Sequence, residues 1–154
     1  WRVKWEMVAM EPFWRGKNLA QLTAEQWEAL CDGCGRCCLE KLKSPTTGKV
    51  YYTRVACYLL DTHACRCTDY ALRHVLVSDC VELRPDNIPR LRWLPKTCAY
   101  RLVAAGQDLP AWHPLVSGSP DSVHAAGISV RDRAISEQLV HPDDLEKYIL
   151  KERL

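Results

Sequence analysis

The stretch Cys31-Asp-Gly-Cys-Gly-Arg-Cys-Cys38 decides how this chain folds, because it concentrates four thiols within eight residues. Two residues separate Cys31 from Cys34 and Cys34 from Cys37. Such a turn directs its sulfurs inward, where they can wrap one metal ion. Its two glycines tolerate the positive φ angles that the turn needs, and its backbone N–H groups can stabilise thiolate charge. The repeated spacing is typical of three-ligand runs in iron–sulfur proteins and also of half a zinc site.

Four further cysteines follow at positions suited to the second half of a metal site, since a four-thiolate site takes its ligands from two distant segments. We therefore predict eight metal ligands, which are Cys31, Cys34, Cys37, Cys38, Cys57, Cys65, Cys67 and Cys80. The eight cysteines could fill two metal sites, or they could hold one cluster and leave some thiols unused. Adjacent Cys37 and Cys38 cannot easily face the same ion. Cys98 fits a small apolar core residue as well as it fits a ligand, and the role of His63 is also open.

The composition predicts a folded chain in a reducing compartment. Of 154 residues, 47% are apolar and 26% charged, with a net charge of +2. These values argue against a disordered chain and against a strongly electrostatic nucleic-acid binder. Nine is an odd number of cysteines, and clustered cysteines in the cytosol are more often metal ligands or catalytic thiols than disulfides. Without a long apolar run or a signal peptide, we expect a cytoplasmic protein with neither a membrane nor nucleic acid as partner. A protein partner is left open.

Local signals predict two short helices that carry cysteines. Thr23 and Gln26 form a capping box for a helix that would place Cys31 on its buried face. A second helix is predicted over Cys98–Ala105, with Thr97 as its cap.

The expected fold class is α+β, with mostly short helices and a few short strands. Strands are predicted at Lys49–Thr53 and Ile128–Val130. Residues 1–11 are interpreted as a poorly ordered N-terminal extension. Residues 12–154 are interpreted as a single small, irregular, cysteine-rich domain, which is stabilised by bound metal.

The cysteine motif and several further stretches resemble one known family, over about residues 12–135. The stretches are Phe13-Trp14, Trp27–Leu30, Val55–Cys57, Trp93–Pro95, Thr97–Arg101 and Asp108–Leu115. They resemble the YcgN group of the YkgJ-type CxxCxxCC family. This resemblance implies zinc or iron as the bound metal, with an iron–sulfur cluster as a further form. Within the family, later cysteines are similar to Cys57, Cys67 and Cys80, whereas Cys65 and Cys98 look like additions of this branch.

Two functions compete at this point. The first is a zinc- or iron-chelating protein with no catalytic activity of its own, whose metal staples long loops. The second is a redox or modifying enzyme that uses an iron–sulfur cluster. The sequence contains no phosphate-binding glycine loop, no HExxH and no GxSxG, so neither function can be assigned catalytic residues.

Overall fold

The computed structural model describes residues 12–152 and 154, and these contain five short α-helices and five short strands. The predicted extension, residues 1–11, lies outside the described residues. The helices are α1 (Ala24–Ala29), α2 (Arg73–Leu76), α3 (Ala99–Ala104), α4 (Pro114–Ser117) and α5 (Ser122–Ala125). The strands are β1 (Leu39–Lys43), β2 (Val50–Ala56), β3 (Leu60–Asp61), β4 (Arg66–Cys67) and β5 (Ile135–Ser136). Turns and 3-10 turns join them, which confirms the α+β class of short elements.

Helix α1 begins at the predicted capping box but ends before the cysteines. The Thr23 hydroxyl accepts the Gln26 N–H at 3.1 Å, and the Gln26 side chain accepts the Thr23 N–H at 3.0 Å. Leu30 fills the core, and its carbonyl accepts a hydrogen bond from the His113 ring at 2.8 Å. Leu30 is the C-terminal cap of the helix, and the Cys34 N–H donates to the Asp32 carboxylate instead of to the Leu30 carbonyl. Cys31 lies beyond it and is exposed, so the prediction of a buried Cys31 is wrong.

Helix α3 is one residue shorter at each end than predicted. Cys98, rather than Thr97, occupies the cap position before Ala99. The helix closes at Ala105, and Gly106 then takes a φ of 73°. A cysteine that we had placed inside the helix therefore lies at its N-terminal boundary.

A three-stranded sheet is built on the hairpin of β1 and β2. These strands are antiparallel, with a register shift between Leu39 and Lys41, and β5 pairs with β2 in parallel. The predicted strand at 49–53 is confirmed and runs on to Ala56. The predicted strand at 128–130 is wrong, because Val130 donates its N–H to the Cys34 carbonyl instead of to a strand.

A second, two-stranded sheet lies close to the end of β2 in the chain. Strands β3 and β4 are antiparallel, and Leu60 pairs with Cys67. The segment from 57 to 84 holds only these two strands and α2, in agreement with the absence of a long periodic pattern there.

Two groups of buried apolar side chains stabilise the fold. The helical core consists of Trp14, Leu19, Leu30, Ile88, Leu94, Ala99, Tyr100, Val103 and Leu109. The sheet core consists of Leu39, Tyr52, Ala56, Leu60, Cys65 and Val130. Cys98 packs against the helical core and Cys38 against the sheet core, so the cysteine region borders both.

Long-range hydrogen bonds fasten the helical core. The Trp14 indole donates to Asp108 at 2.8 Å, and the Tyr100 hydroxyl donates to the Trp27 carbonyl at 2.7 Å.

Among the described residues, no helix has both the length and the apolar character needed to cross a membrane.

Candidate metal centre

The cysteine motif folds as the tight turn that its glycines predict. Gly33 and Gly35 both have positive φ angles, of 76° and 74°. The Cys34 N–H donates to the Asp32 carboxylate at 2.9 Å, and the Arg36 N–H donates to the Cys34 sulfur at 3.5 Å. A backbone amide therefore points at a sulfur of the motif, which is the stabilisation that a thiolate ligand uses.

The last two cysteines of the motif lie on a 3-10 turn and interact with each other. A hydrogen bond from Cys38 and the nearby Lys41 ammonium together lower the pKa of the Cys37 thiol to about 7, against the opposing effect of burial. The same hydrogen bond, together with burial, raises the pKa of Cys38 well above its usual range. At neutral pH the pair therefore favours a thiolate at Cys37 and a neutral thiol at Cys38.

Lys41 is the cation that accompanies this thiolate. Its ammonium donates to the carbonyls of Cys37 at 3.0 Å and Leu39 at 2.8 Å. It also lies 5.0 Å from the centre of the Tyr52 ring and 4.5 Å from that of the Trp93 ring. Burial lowers the pKa of Lys41, and the charges of the neighbouring thiols oppose this shift.

Four thiols, Cys31, Cys34, Cys37 and Cys98, are neighbours whose charges act on one another, and we call them the first set. Cys31 keeps exposed surface, yet the surrounding protein raises its thiol pKa to about 12, and the charges of Cys37 and Cys98 contribute. Burial likewise raises the pKa of Cys98 to about 11, with a contribution from Cys37. Burial, followed by the charges of Asp32 and Cys37, raises the pKa of Cys34. The first set thus includes Cys98, which the sequence left open.

Four other thiols, Cys38, Cys57, Cys67 and Cys80, form a second group of neighbours, which we call the second set. The Cys57 N–H donates to the Cys38 carbonyl at 2.9 Å, which joins the motif to the end of β2. Burial raises the pKa of Cys57, and the charges of Cys67 and Cys80 contribute. The charge of Cys37 also acts on Cys80, so the two sets adjoin at the Cys37–Cys38 step.

Cys65 is assigned to neither set, although its Cβ lies 3.5 Å from the point that a Cβ on Gly35 of the motif would occupy. It is buried in the sheet core, has a φ of 58°, and its thiol is affected by Ser129, Arg131 and Val130 rather than by another cysteine. His63 is exposed, and its ring lies 2.9 Å from the Asp132 carboxylate.

Within residues 12–152 and 154, no three cysteine, histidine, aspartate or glutamate side chains lie close enough together to hold a metal ion as they stand. The eight predicted ligands therefore stay a prediction. The chemistry of each set, four soft sulfur donors, fits zinc and iron.

Three polar side chains that sequence reasoning missed border the thiols. Asp32 is 8% exposed, and its second carboxylate oxygen has no hydrogen-bond partner among the described residues. The same is true of the buried Nε2 of His74 and the buried hydroxyl of Thr97. Asp32 could have been suspected because it lies between two cysteines of the motif, whereas no local signal distinguishes His74 or Thr97.

Comparison with known proteins agrees with the cysteine chemistry. Residues 30–99 match the CxxCxxCC family, described as a "putative zinc- or iron-chelating domain", and this range contains all nine cysteines. No solved structure is significantly similar to the chain.

Relatives of the same name cover most of the chain. A UPF0260 protein of Rhizobium etli is 55% identical over 139 residues, which is 90% of this chain and 88% of the relative. A UPF0260 protein of Ectopseudomonas mendocina is 56% identical over 91% of this chain and 94% of its own length. One from Gluconacetobacter diazotrophicus is 57% identical over 93% of this chain and 88% of its own length. The predicted CxxCxxCC resemblance is thus confirmed, and the chain belongs to the UPF0260 family.

Proposed function

We propose that this chain is a cytoplasmic zinc- or iron-chelating protein that holds metal through cysteine thiolates and has no catalytic activity of its own. The observation that carries this proposal is the Cys31–Cys38 turn, in which a backbone amide donates to the Cys34 sulfur beside three further thiols. This amide would stabilise negative charge on the Cys34 sulfur once a cation has displaced its proton.

The electrostatics of three thiols of the first set, Cys31, Cys34 and Cys98, differ from those of a free reactive thiol, whereas Cys37 has a lowered pKa. Cys31, Cys34 and Cys98 have raised pKa values because of burial, so without a metal they are protonated at neutral pH. A reactive thiol needs the opposite shift. A metal ion displaces the proton from a thiol and binds the thiolate, so this environment favours soft cations that bind sulfur strongly.

When bound, zinc would supply a closed structural centre, and iron would supply either a mononuclear or a cluster site. The chain's own residues hold the ligands in place. Lys41 offsets negative charge near Cys37, and the Asp32 carboxylate orients the Cys34 amide.

The second candidate function is an iron–sulfur enzyme for redox or modifying chemistry. The observation that favours it is the three-cysteine run of the motif, together with a Cys37 thiol whose pKa is lowered to about 7. This candidate requires iron with inorganic sulfide in the isolated protein.

The test is metal analysis of the full chain, purified with and without oxygen, together with its visible absorption spectrum. The proposal expects zinc or iron in the wild type and a loss of metal in Cys34→Ser, with Asp143→Asn, an exposed side chain far from the thiols in the sequence, as the control that keeps its metal. Iron with equivalent sulfide and a brown colour would favour the second candidate. A wild type that carries and takes up neither metal under either condition would overturn both.

A further inference from the structure

A cavity of about 390 Å³ lies against the sheet core, and none of the described residues that line it is a cysteine. Its aliphatic lining consists of buried residues of the sheet core and their partly buried neighbours, which are Leu39, Val130, Ala134, Leu150 and Leu154. Three arginines share this lining, and they are Arg36, Arg54 and Arg133. Small-molecule sites combine these same features, a concave apolar surface of a few hundred cubic ångströms with a small number of placed polar groups.

Two of the arginines are fixed by carbonyl groups of successive residues. Arg36 donates from Nε to the Ile128 carbonyl at 2.7 Å. Arg133 donates from Nη2 to the two neighbouring carbonyls, those of Gly127 at 2.8 Å and of Ser129. The two guanidinium groups are therefore held on one short segment, although their positive charges repel each other. Because a guanidinium has five N–H donors, each keeps several donors beyond those that hold it in place.

Within the described residues, no carboxylate forms an ion pair with these three arginines. Asp132 and Glu152 line the same cavity, but the Asp132 carboxylate lies 2.9 Å from the ring of His63. The guanidinium of Arg54 lies over the Tyr148 ring, 5.3 Å from its centre. Since the three arginines outnumber the two carboxylates by one, the cavity favours a ligand with a single negative charge.

From this combination we propose that the cavity binds a small aliphatic carboxylate. Its carboxylate group accepts N–H bonds from Arg36 and Arg133, because the guanidinium fork matches the two oxygens of a carboxylate. Its hydrocarbon body lies against Leu39 and Val130, where it leaves water. The proposal goes beyond the proposed function, because this site contains no thiol and requires no metal. The two sites are nevertheless adjacent, since the backbone N–H of Arg36 donates to the Cys34 sulfur at 3.5 Å.

The test measures octanoate binding to the full chain by isothermal titration calorimetry, below the concentration at which octanoate forms micelles. The wild type should bind one octanoate saturably. Arg36→Gln and Arg133→Gln should each weaken binding by about 10–100-fold, the usual loss for a hydrogen bond to a charged group. The control is Arg90→Gln, whose side chain is 75% exposed and lies outside the cavity, and it should bind as the wild type does. No saturable binding by the wild type, or equal weakening in the control, would overturn the proposal.

A series of ligands tests the charged and the aliphatic parts of the site separately. Hexanoate, which is two methylenes shorter, should bind about 10-fold more weakly, because each methylene that leaves water contributes to affinity. Octanol, which lacks the charge, should also bind at least about 10-fold more weakly than octanoate. Octyl phosphate, with its higher charge, should bind no more tightly than octanoate. Equal affinities for hexanoate and octanoate, or for octanol and octanoate, would overturn the proposal, and tighter binding of octyl phosphate would overturn the assignment of a carboxylate.

A second measurement uses only the wild type and so does not depend on the folding of variants. Nuclear Overhauser effects between the methylenes of bound octanoate and the protein should reach the methyl groups of Leu39, Val130 and Leu150. A separate cavity near Trp14 is lined by Leu19 and Val103. Effects confined to the methyl groups of that second cavity would place the ligand elsewhere and overturn the proposal.

Discussion

The first and second sets of thiols are supported in different ways by the protein around them. Beside the first set, Leu30 and Leu94 are fully buried, and the buried His113 ring holds the Leu30 carbonyl and the Leu115 amide. Around the second set, Leu59 and Leu60 are buried beside Cys57, but the apolar side chains of α2 are exposed, and Val75 has 81% of its surface open to solvent. Apolar burial and hydrogen bonds therefore stabilise the region of the first set independently of a ligand.

The segment from 57 to 84 has little such support, since its only regular elements are two two-residue strands and a four-residue helix. Regions with few buried apolar contacts open at low free-energy cost. A metal that ties Cys57, Cys67 and Cys80 to Cys38 would supply the missing stability, because metal binding and folding are coupled. From this comparison we expect bound metal to contribute more to the stability of the segment around the second set than to that of the region around the first set.

Metal removal should have the largest effect, and it should change hydrogen exchange much more around the second set than in the helical core. After chelation, amide hydrogen exchange in residues 57–81 should accelerate by at least about 100-fold, which requires only about 2.7 kcal/mol of the roughly 10–16 kcal/mol that structural zinc contributes in zinc-finger peptides. Exchange in residues 88–104, which belong to the helical core, should accelerate much less. The measurement is exchange mass spectrometry of loaded and stripped protein. Equal acceleration in the two segments would show that the comparison is wrong. No change in either segment would mean that bound metal stabilises neither of them.

An intermediate effect is expected where the motif meets the sheet core. A Cβ on Gly35 would lie 2.8 Å from Cγ2 of Val130, whereas a Cβ on Gly33 would meet open space. Both positions have positive φ, which costs an alanine about 1–2 kcal/mol. Gly35→Ala should therefore lower the free energy of unfolding by about 2–4 kcal/mol, because overpacking adds to this cost. Gly33→Ala should lower the free energy of unfolding only by the cost of the positive φ angle, about 1–2 kcal/mol.

Urea unfolding of the metal-loaded variants measures the difference, and Val130→Ala provides the rescue. Adding Val130→Ala to Gly35→Ala removes the clashing methyl group. The free energy of unfolding should therefore fall by less in the double variant than the sum of its decreases in the two single variants. Equal losses in Gly33→Ala and Gly35→Ala would mean that Val130 shifts aside without cost and that the motif is not held against the sheet core.

The smallest effect should come from removing one charge beside the first set. Asp32→Asn keeps an oxygen that can accept the Cys34 N–H but loses the buried negative charge. Metal affinity of the first set should fall by about 10–100-fold, the usual range for residues that orient metal ligands. The second set should be unchanged, and competition with a chromogenic chelator would separate the two. The matched control is Asp143→Asn, whose side chain is 89% exposed. Equal affinities in wild type and Asp32→Asn would show that only the hydrogen bond matters.

Several features follow directly from local residue order. The capping box of Thr23 and Gln26 and the positive φ angles of Gly33 and Gly35 could be predicted, because each depends on steric and hydrogen-bonding rules within four residues. The strand after residue 49 could be predicted in the same way, because β-branched and aromatic residues favour extended backbone.

Other features could not be predicted from the sequence because they depend on distant contacts. The Ile128–Val130 segment has the composition of a strand, yet Arg36 donates to the Ile128 carbonyl at 2.7 Å and Val130 bonds to the motif instead. Cys31 lies beyond the end of the helix, where His113, far along the chain, bonds to the Leu30 carbonyl. Nothing near either segment in the sequence indicates these partners.

The identity of the cysteines, the two-residue spacing and the turn that carries them are properties of the local sequence, and they suffice to predict metal chemistry. Which thiols become neighbours is a property of the tertiary structure. Cys98 packs against the helical core and Cys65 lies inside the sheet core, and the spacing of the motif predicts neither position. The physical reason is that spacing constrains sulfurs only within one turn, whereas apolar packing decides which distant segments meet.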